Sequence, residues 1–413
     1  RTSCEEGDMT PRPSLRRRPS SPASAPPLDD DDLLSEILLR LPPQPSSLPR
    51  ASLVCKRWRG LVSDPGFLRR FRIHHRRNPP LLGCFVKTSD ELYFEPTLEP
   101  PNHVPRARFS LQKLPRDSFL LLGCRHGLVL TFDWRKLQIL VWDLANGLQQ
   151  SIAFPPGFHM VETLIHLQGA VLRAAADGQH FQVCLVGLER GSQQNYARVI
   201  ACVYSSETGS WGNLVSTAFP SVPYLHVDPT IVFMAKPGVL VGDFLYWALT
   251  GNFVRIIEFD LKRQSLAVIG IPVDMDSWRD YEYSVMRADD GGLGFLFLSD
   301  FSAQLWKRKT DCDGAAPWVL GRTIELGKLL SLNLHSEQVP LRILGYAEEN
   351  NVVFLSTVHG VFMIQLDPLQ SNNVVFLSTV LGVSPLYYPF ESIYTAGMGI
   401  AGGHDGAKLL HNA

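Results

Sequence analysis

Near residue 78 the hydrophobic pattern of this chain changes period, and that switch divides it into a helical module followed by an all-β body. Ahead of the switch, Leu33, Leu34, Ile37, Leu38 and Leu41 fall at i, i+1, i+4, i+5 and i+8, one face of a helix. The run Asp29 to Asp32 precedes them, where carboxylates suit the positive end of the helix, and Pro42-Pro43 ends it. A second series, Leu48, Ala51, Val54, Cys55, Trp58 and Leu61, again steps by threes and fours, with Lys56, Arg57 and Arg59 mostly on the other side. Gly60 weakens that helix locally, Asp64-Pro65-Gly66 makes a turn, and Phe67, Leu68 and Phe71 begin a further helical segment. Some forty residues cannot bury this much aliphatic surface internally. The excess must meet another part of the chain or another protein.

Beyond the switch come short aliphatic and aromatic runs separated by Gly, Asp, Asn and Pro, the signature of strands. Expected strands are Leu81–Val86, Phe119–Leu122, Leu128–Phe132, Ile139–Leu144, Phe181–Leu188, Arg198–Ser205, Val239–Val241, Phe244–Leu249, Val254–Asp260, Leu293–Leu298, Ala303–Lys307, Arg342–Tyr346, Val352–Thr357 and Val361–Gln365. They fall into five or six loosely repeated units of about 40 to 60 residues, the size of β-propeller blades, with a large β-sandwich as the alternative. The sequence Asn-Asn-Val-Val-Phe-Leu-Ser-Thr-Val occurs at 350–358 and again at 372–380. This reads as a recent duplication or an assembly error. Its second copy is expected to occupy the closing-strand region and to leave the last blade malformed.

Three segments carry a family resemblance: L-L-x-E-I-L-x-R-L-P at Leu33–Pro42, A-S-x-V-C-K-R-W-R at Ala51–Arg59, and S-D-P-x-F-L at Ser63–Leu68. Together they resemble an F-box. One departure is Pro27-Leu28, where the family has Leu-Pro, followed by four aspartates. The repetitive remainder resembles the plant-type F-box-associated domains, kelch-related and propeller-like, although no unit has a full kelch double glycine. The resemblance implies an α+β chain of two domains: a three-helix F-box at 27–74 and an all-β propeller-like domain at 75–395. A Ser/Pro/Arg-rich tail (1–26) and a flexible Gly/Ala-rich tail (396–413) flank them. It also implies a substrate-recognition subunit of a cullin-RING ubiquitin ligase, joined through a Skp-type adaptor and holding a target protein with the β domain. By motif match the adaptor-binding residues are Leu33, Leu34, Ile37, Leu38, Leu41, Pro42, Val54, Cys55, Trp58 and Leu61, with Trp58 as an anchor and some of the others packed internally. The bland reading is two amphipathic helices of an ordinary domain.

No active site announces itself. H-E-x-x-H, G-x-S-x-G and the P-loop are missing, and no cofactor or metal is expected. His74-His75 lies among arginines that oppose a metal ion, and Gly397–Gly402 matches G-x-G-x-x-G without a βαβ unit to complete it. The basic segment Arg69–Arg77 suits either phosphates or a solvated hinge leading into the β domain. The tryptophans at 134, 142, 211, 247, 278, 306 and 318 recur within the repeats, mostly as blade packing, with a few on one rim as binding hot spots. Seven scattered cysteines, none in C-x-x-C, favour a reducing compartment, cytoplasmic or nuclear; Arg16-Arg17-Arg18 suits a nuclear signal or plain solvated charge. Residues 1–80 hold 15 Lys/Arg against 9 Asp/Glu, so they carry +6 and leave −7 for the rest of a chain with net charge −1. Nucleic acid is therefore not an expected partner, and with no run of eighteen apolar residues neither is a membrane. An initial Arg1 suggests a fragment or an incomplete gene model. Two rivals stay open: a ligand-binding or hydrolytic propeller, and an interaction protein outside any ligase.

Overall fold

The computed structural model describes residues 30–394, apart from 89–90, 110–118, 145–146, 159–163, 174–179, 191–196, 220–235, 250–253, 274–281, 310–315, 333–340, 367–373 and 379–384. Both expected tails, Arg16–Arg18, Gly397–Gly402 and Trp278 lie outside the described residues.

Helix α1 (Asp31–Leu39) begins where the Asp30 carboxylate accepts from the amides of Asp32 and Leu33, at 2.9 and 3.3 Å. It stops short of the prolines, because a residue preceding proline is driven out of the helical region. The second apolar series forms two helices where one was expected. Helix α2 spans Ser47–Ser52 and α3 spans Lys56–Ser63, with Cys55 extended between them and its sulfur facing the Trp58 amide. Helix α3 runs through Gly60 unbroken, and α4 (Pro65–His74) follows the Asp64 cap. The module thus has four helices, not three.

Strands β1 (Leu81–Lys87) and β2 (Leu92–Pro96) open the β body. A four-stranded sheet follows: β3 (Phe119–Arg125), β4 (Leu128–Asp133), β5 (Gln138–Asp143) and β6 (Leu148–Ala153). The next holds β7 (Leu164–Arg173), β8 (Phe181–Arg190), β9 (Ala197–Ser205) and β10 (Ser210–Trp211), with β11 (Val215–Ala218) also on β9. Then come β12 (Val239–Val241), β13 (Phe244–Leu249), β14 (Arg255–Asp260) and β15 (Ser265–Ile269). A fifth sheet has β16 (Tyr283–Arg287), β17 (Leu293–Ser299), β18 (Ser302–Arg308) and β19 (Trp318–Glu325). The sixth has β20 (Arg342–Ala347), β21 (Val352–Thr357), β22 (Gly360–Gln365) and β23 (Val374–Ser378). Strand β24 (Leu386–Glu391) returns to pair with β1, so the first blade is closed by the end of the described chain.

This is a six-bladed propeller rather than a sandwich. Strands β16, β20, β24, β3 and β7 follow one another around the axis, and the apolar cores lie between successive sheets. Every strand expected from the sequence overlaps an observed one. Strands β2, β6, β7, β10, β11, β15, β16, β19, β23 and β24 were not expected; for the outer strands β6, β15 and β19 the reason is that an edge strand with little burial lacks apolar alternation. Strand β24 was missed for its Pro389, which an innermost strand tolerates because one edge has no sheet partner.

The duplicated segment does not supply the closing strand. Its first copy forms β21 and its second forms β23, on either side of β22. Val353 and Val374 both pair with Ile364, so over Val374–Phe376 the second copy is one residue out of step and presents the opposite face, until a register shift brings Ser378 level with Ser356 on Val361. Val353, Phe354 and Leu355 are buried, whereas Val375 and Phe376 in the rim strand are half-exposed.

Polar groups gather on the axis. Arg125, at the end of β3, forms a two-pronged bond to Glu348 beyond β20, at 2.5 and 2.8 Å, and donates to the Gly238 carbonyl at 2.9 Å. Glu348 also accepts from the Leu240 amide at 2.9 Å, and Arg287 donates to the Leu240 carbonyl at 3.1 Å. Glu391, on β24, accepts from the amide and side chain of Asn350, each at 2.8 Å, and from the Glu349 amide at 3.1 Å. Burial would raise the Glu348 carboxyl, but Arg125 outweighs it and holds the group below its usual range. Burial pushes the Glu391 carboxyl up to about 7, against the hydrogen bonds from Asn350 and helped by the Glu348 charge nearby.

That shift has a sign. A carboxyl whose folded value lies above its unfolded one stabilises the fold at low pH and loses the contribution as pH rises through the folded value. Glu391→Gln keeps the acceptor for Asn350 and removes the titration. In denaturant melts the variant is expected to match wild type near pH 5 and to exceed it by about 2–3 kcal/mol near pH 8. Equal stabilities at both pH values would show that Glu391 is not held protonated.

Candidate docking site

The ten residues singled out by motif divide between the interior and the surface of the helical module. Leu34 and Leu38 are buried in its core, while Leu33 and Ile37 are 49% and 45% exposed. The apolar stripe of α1 is wide enough that one flank faces inward and the other faces solvent. Val54 is 61% exposed, Cys55 and Pro42 are exposed, and Leu41, Trp58 and Leu61 are half-buried against the core. A bridge from Arg57 to Asp31, at 2.6 Å, ties the first turn of α3 to the first turn of α1. Sequence reasoning missed Leu53, the most exposed large apolar residue among those described at 76%, because it falls outside the expected helical face. The break between α2 and α3 turns it outward.

The inner face is filled from an unexpected source. Phe67, Phe71, Leu39, Leu48, Ala51 and Val62 complete the core around Leu34 and Leu38, together with Ile393, two residues beyond the closing strand. Ser392 donates its amide to the Pro80 carbonyl, and Gly127, at φ +75°, lets it approach: a Cβ there would stand 2.7 Å from the Ser392 hydroxyl oxygen. The Ser46 amide reaches Asn102 at 3.2 Å, and Arg76 donates to the Arg173 carbonyl at 2.6 Å. The basic segment is therefore packed along one side only: Phe71 is buried and Arg72, His75 and Arg76 are half-buried, while Arg69, Arg70, Ile73, His74 and Arg77 stay exposed. Arg70 bonds Ser35 at 2.5 Å, and burial lowers the His75 imidazole, whose Nε2 donates to the Leu39 carbonyl at 2.8 Å. No cluster of three metal-ligating side chains occurs among the described residues. No helix among them is long and apolar enough to cross a membrane.

Over residues 120–392 the chain matches the family described as F-box protein AT5G49610-like, beta-propeller. The chain belongs to this family. A match to the F-box domain covers residues 30–70, the helical module. Among curated relatives, F-box protein At5g03970 of Arabidopsis thaliana is 24% identical over 68% of this chain and 65% of its own length. A second Arabidopsis thaliana F-box protein, At3g16210, is 25% identical over 59% of this chain and 60% of its own. The chain thus spans less than two thirds of these relatives. The WD40 domain of SCAP from fission yeast overlays 65% of this chain and 53% of that one with a TM-score of 0.34 and 12% identity.

In this F-box protein the helical module cannot be complete without the propeller's last residues. Ile393→Asp places a carboxylate inside the F-box core, at an expected cost of about 3 kcal/mol to the module. Amide exchange in α1 and α4 should accelerate while β21 stays protected. Unchanged protection in α1 would show that Ile393 is not part of that core.

Proposed function

We propose that this F-box protein is the substrate-recognition subunit of an SCF-type cullin-RING ubiquitin ligase. The F-box docks on a Skp-type adaptor, through it meets the cullin and RING subunits, and the propeller holds a target protein. The observation that carries this reading is the exposure of four aliphatic side chains, Leu33, Ile37, Leu53 and Val54, on a module whose interior is already filled. Small apolar groups left in water beside a sealed core suit a protein partner. In this reading Leu33, Ile37, Pro42, Val54 and Cys55 touch the adaptor, Leu41, Trp58 and Leu61 present their exposed edges, and Leu34 and Leu38 support these side chains from beneath. The protein does no bond chemistry. It raises the local concentration of a target near a separate transferring enzyme, and the seam with the propeller keeps that geometry fixed.

Leu38→Asp is a poor test, because a charge at a buried position unfolds the module whatever its role. The pair Leu33→Asp and Val54→Asp acts at the surface. Each removes about 1–2 kcal/mol of apolar burial on binding, so together they should weaken a purified Skp-type adaptor by more than about tenfold at an unchanged melting midpoint. Titration calorimetry gives the answer; wild-type affinity in the double variant would place the docking surface elsewhere.

A further inference from the structure

Among the described residues, one tryptophan of the propeller stands apart from the others. Trp247 is buried, and Trp142, Trp211, Trp306 and Trp318 are half-buried, the last three with their indole N–H bonded. Trp134 is 50% exposed at the tip of the β4–β5 turn. Leu137, at the far side of the same turn, is 41% exposed and sits at φ +51°. A leucine in the left-handed region is strained, and an exposed one also leaves apolar surface in water. Glycine or asparagine would avoid both penalties, so the choice points to use rather than folding.

The structure contains its own control. The turn Asp260–Gln264 has the same build: the Asp260 carboxylate accepts from the amides of Lys262 and Arg263, each at 2.9 Å, and Gln264 takes φ +53°. There the tip residue, Leu261, packs against a blade core, the strained position is polar, and Lys262 pairs with Asp243 at 2.6 Å. In the Trp134 turn, buried Asp133 accepts from the amides of Arg135 and Lys136, at 3.0 and 3.1 Å. Both of these side chains are exposed, and neither has a carboxylate partner among the described residues. The Arg135 guanidinium lies over the Trp134 ring at 5.4 Å. The turn geometry therefore requires neither the two apolar side chains nor the unmatched cations.

Its position is also defined. Strand β4 runs from the His126–Gly127 turn, which touches Ser392 beside the F-box, to Asp133. The Trp134 turn is thus on the propeller face away from the F-box.

We propose that the turn Trp134–Leu137 recognises an acidic peptide segment that carries a bulky apolar side chain. The proposal rests on the reading of the propeller as a target holder and names the chemistry of the target. Trp134 and Leu137 cover the apolar side chain, and Arg135 and Lys136 meet the flanking carboxylates. A nucleic acid fits less well, since two cations neutralise too few phosphates to hold a polyanion.

The test uses the full chain with a displayed library of random peptides, an oligothymidine single strand as competitor, and the Skp-type adaptor as a parallel ligand. Selected peptides should pair Asp or Glu with Phe, Leu, Ile or Trp. Trp134→Ser, and separately Arg135→Glu with Lys136→Glu, should each weaken them by more than about tenfold at an unchanged melting midpoint. Leu137→Asn should weaken peptide binding and raise the midpoint, a pairing that a merely structural turn would not give. Peptides without acidic residues, peptides unaffected by Trp134→Ser, or preferential binding of oligothymidine would each overturn the proposal. Adaptor binding separates the two readings: if it persists while no turn-dependent peptide is found, only this proposal falls, and if it fails in wild type, the ligase reading falls by itself.

Discussion

A guanidinium and a carboxylate, both more than nine-tenths buried, meet near the propeller axis, and the arrangement of three alternate blades depends on them. Arg125 belongs to the second blade and Glu348 to the sixth, and their remaining hydrogen-bonding capacity goes to Gly238 and Leu240 in the fourth. Inner strands face an axis where apolar side chains from six directions would leave either a clash or a channel. One forked ion pair with backbone partners ties the alternate second, fourth and sixth blades together there, beside a small cavity lined by Lys236, Glu348 and Glu391. The net stability of such a pair is small, because desolvation offsets most of the attraction. Its contribution is specificity. A blade displaced by one strand register would leave a buried charge without its partner, at several kcal/mol.

The F-box extends the same logic outward. Glu391 and Asn350 anchor the closing strand on the axis network, and two residues later the chain enters the helical core as Ile393. Closure of the propeller and completion of the F-box are therefore one event. Whatever surface the propeller offers, its orientation relative to the helices is set by packed contacts rather than by a linker.

How much of this was legible beforehand follows from where burial enforces pattern. Strands with two neighbours, such as β4, β13 and β21, alternate or run apolar and were visible. Rim strands such as β19, largely in water, left no periodicity to read. On α1 the five aliphatic positions were right, but periodicity could not say which flank was inside, because Leu34 and Leu33 obey the same spacing. The part played by Ile393 had no local signal at all: an isoleucine near the end of a strand becomes a helical core residue only through tertiary contact. Nor could Trp134 be separated from its fellows, since exposure at a turn depends on how the neighbouring blade sits.

The copied segment, finally, says something about how such a ring tolerates growth. Two identical stretches lie in one blade with a strand between them, one in the interior and one on the circumference, because a rim strand has to satisfy little beyond its backbone partners. Closure happens at the hub, with β24, and is indifferent to what is spliced at the perimeter. New sequence arriving at the rim is thus spare surface, free to diverge without putting the integrity of the ring at stake.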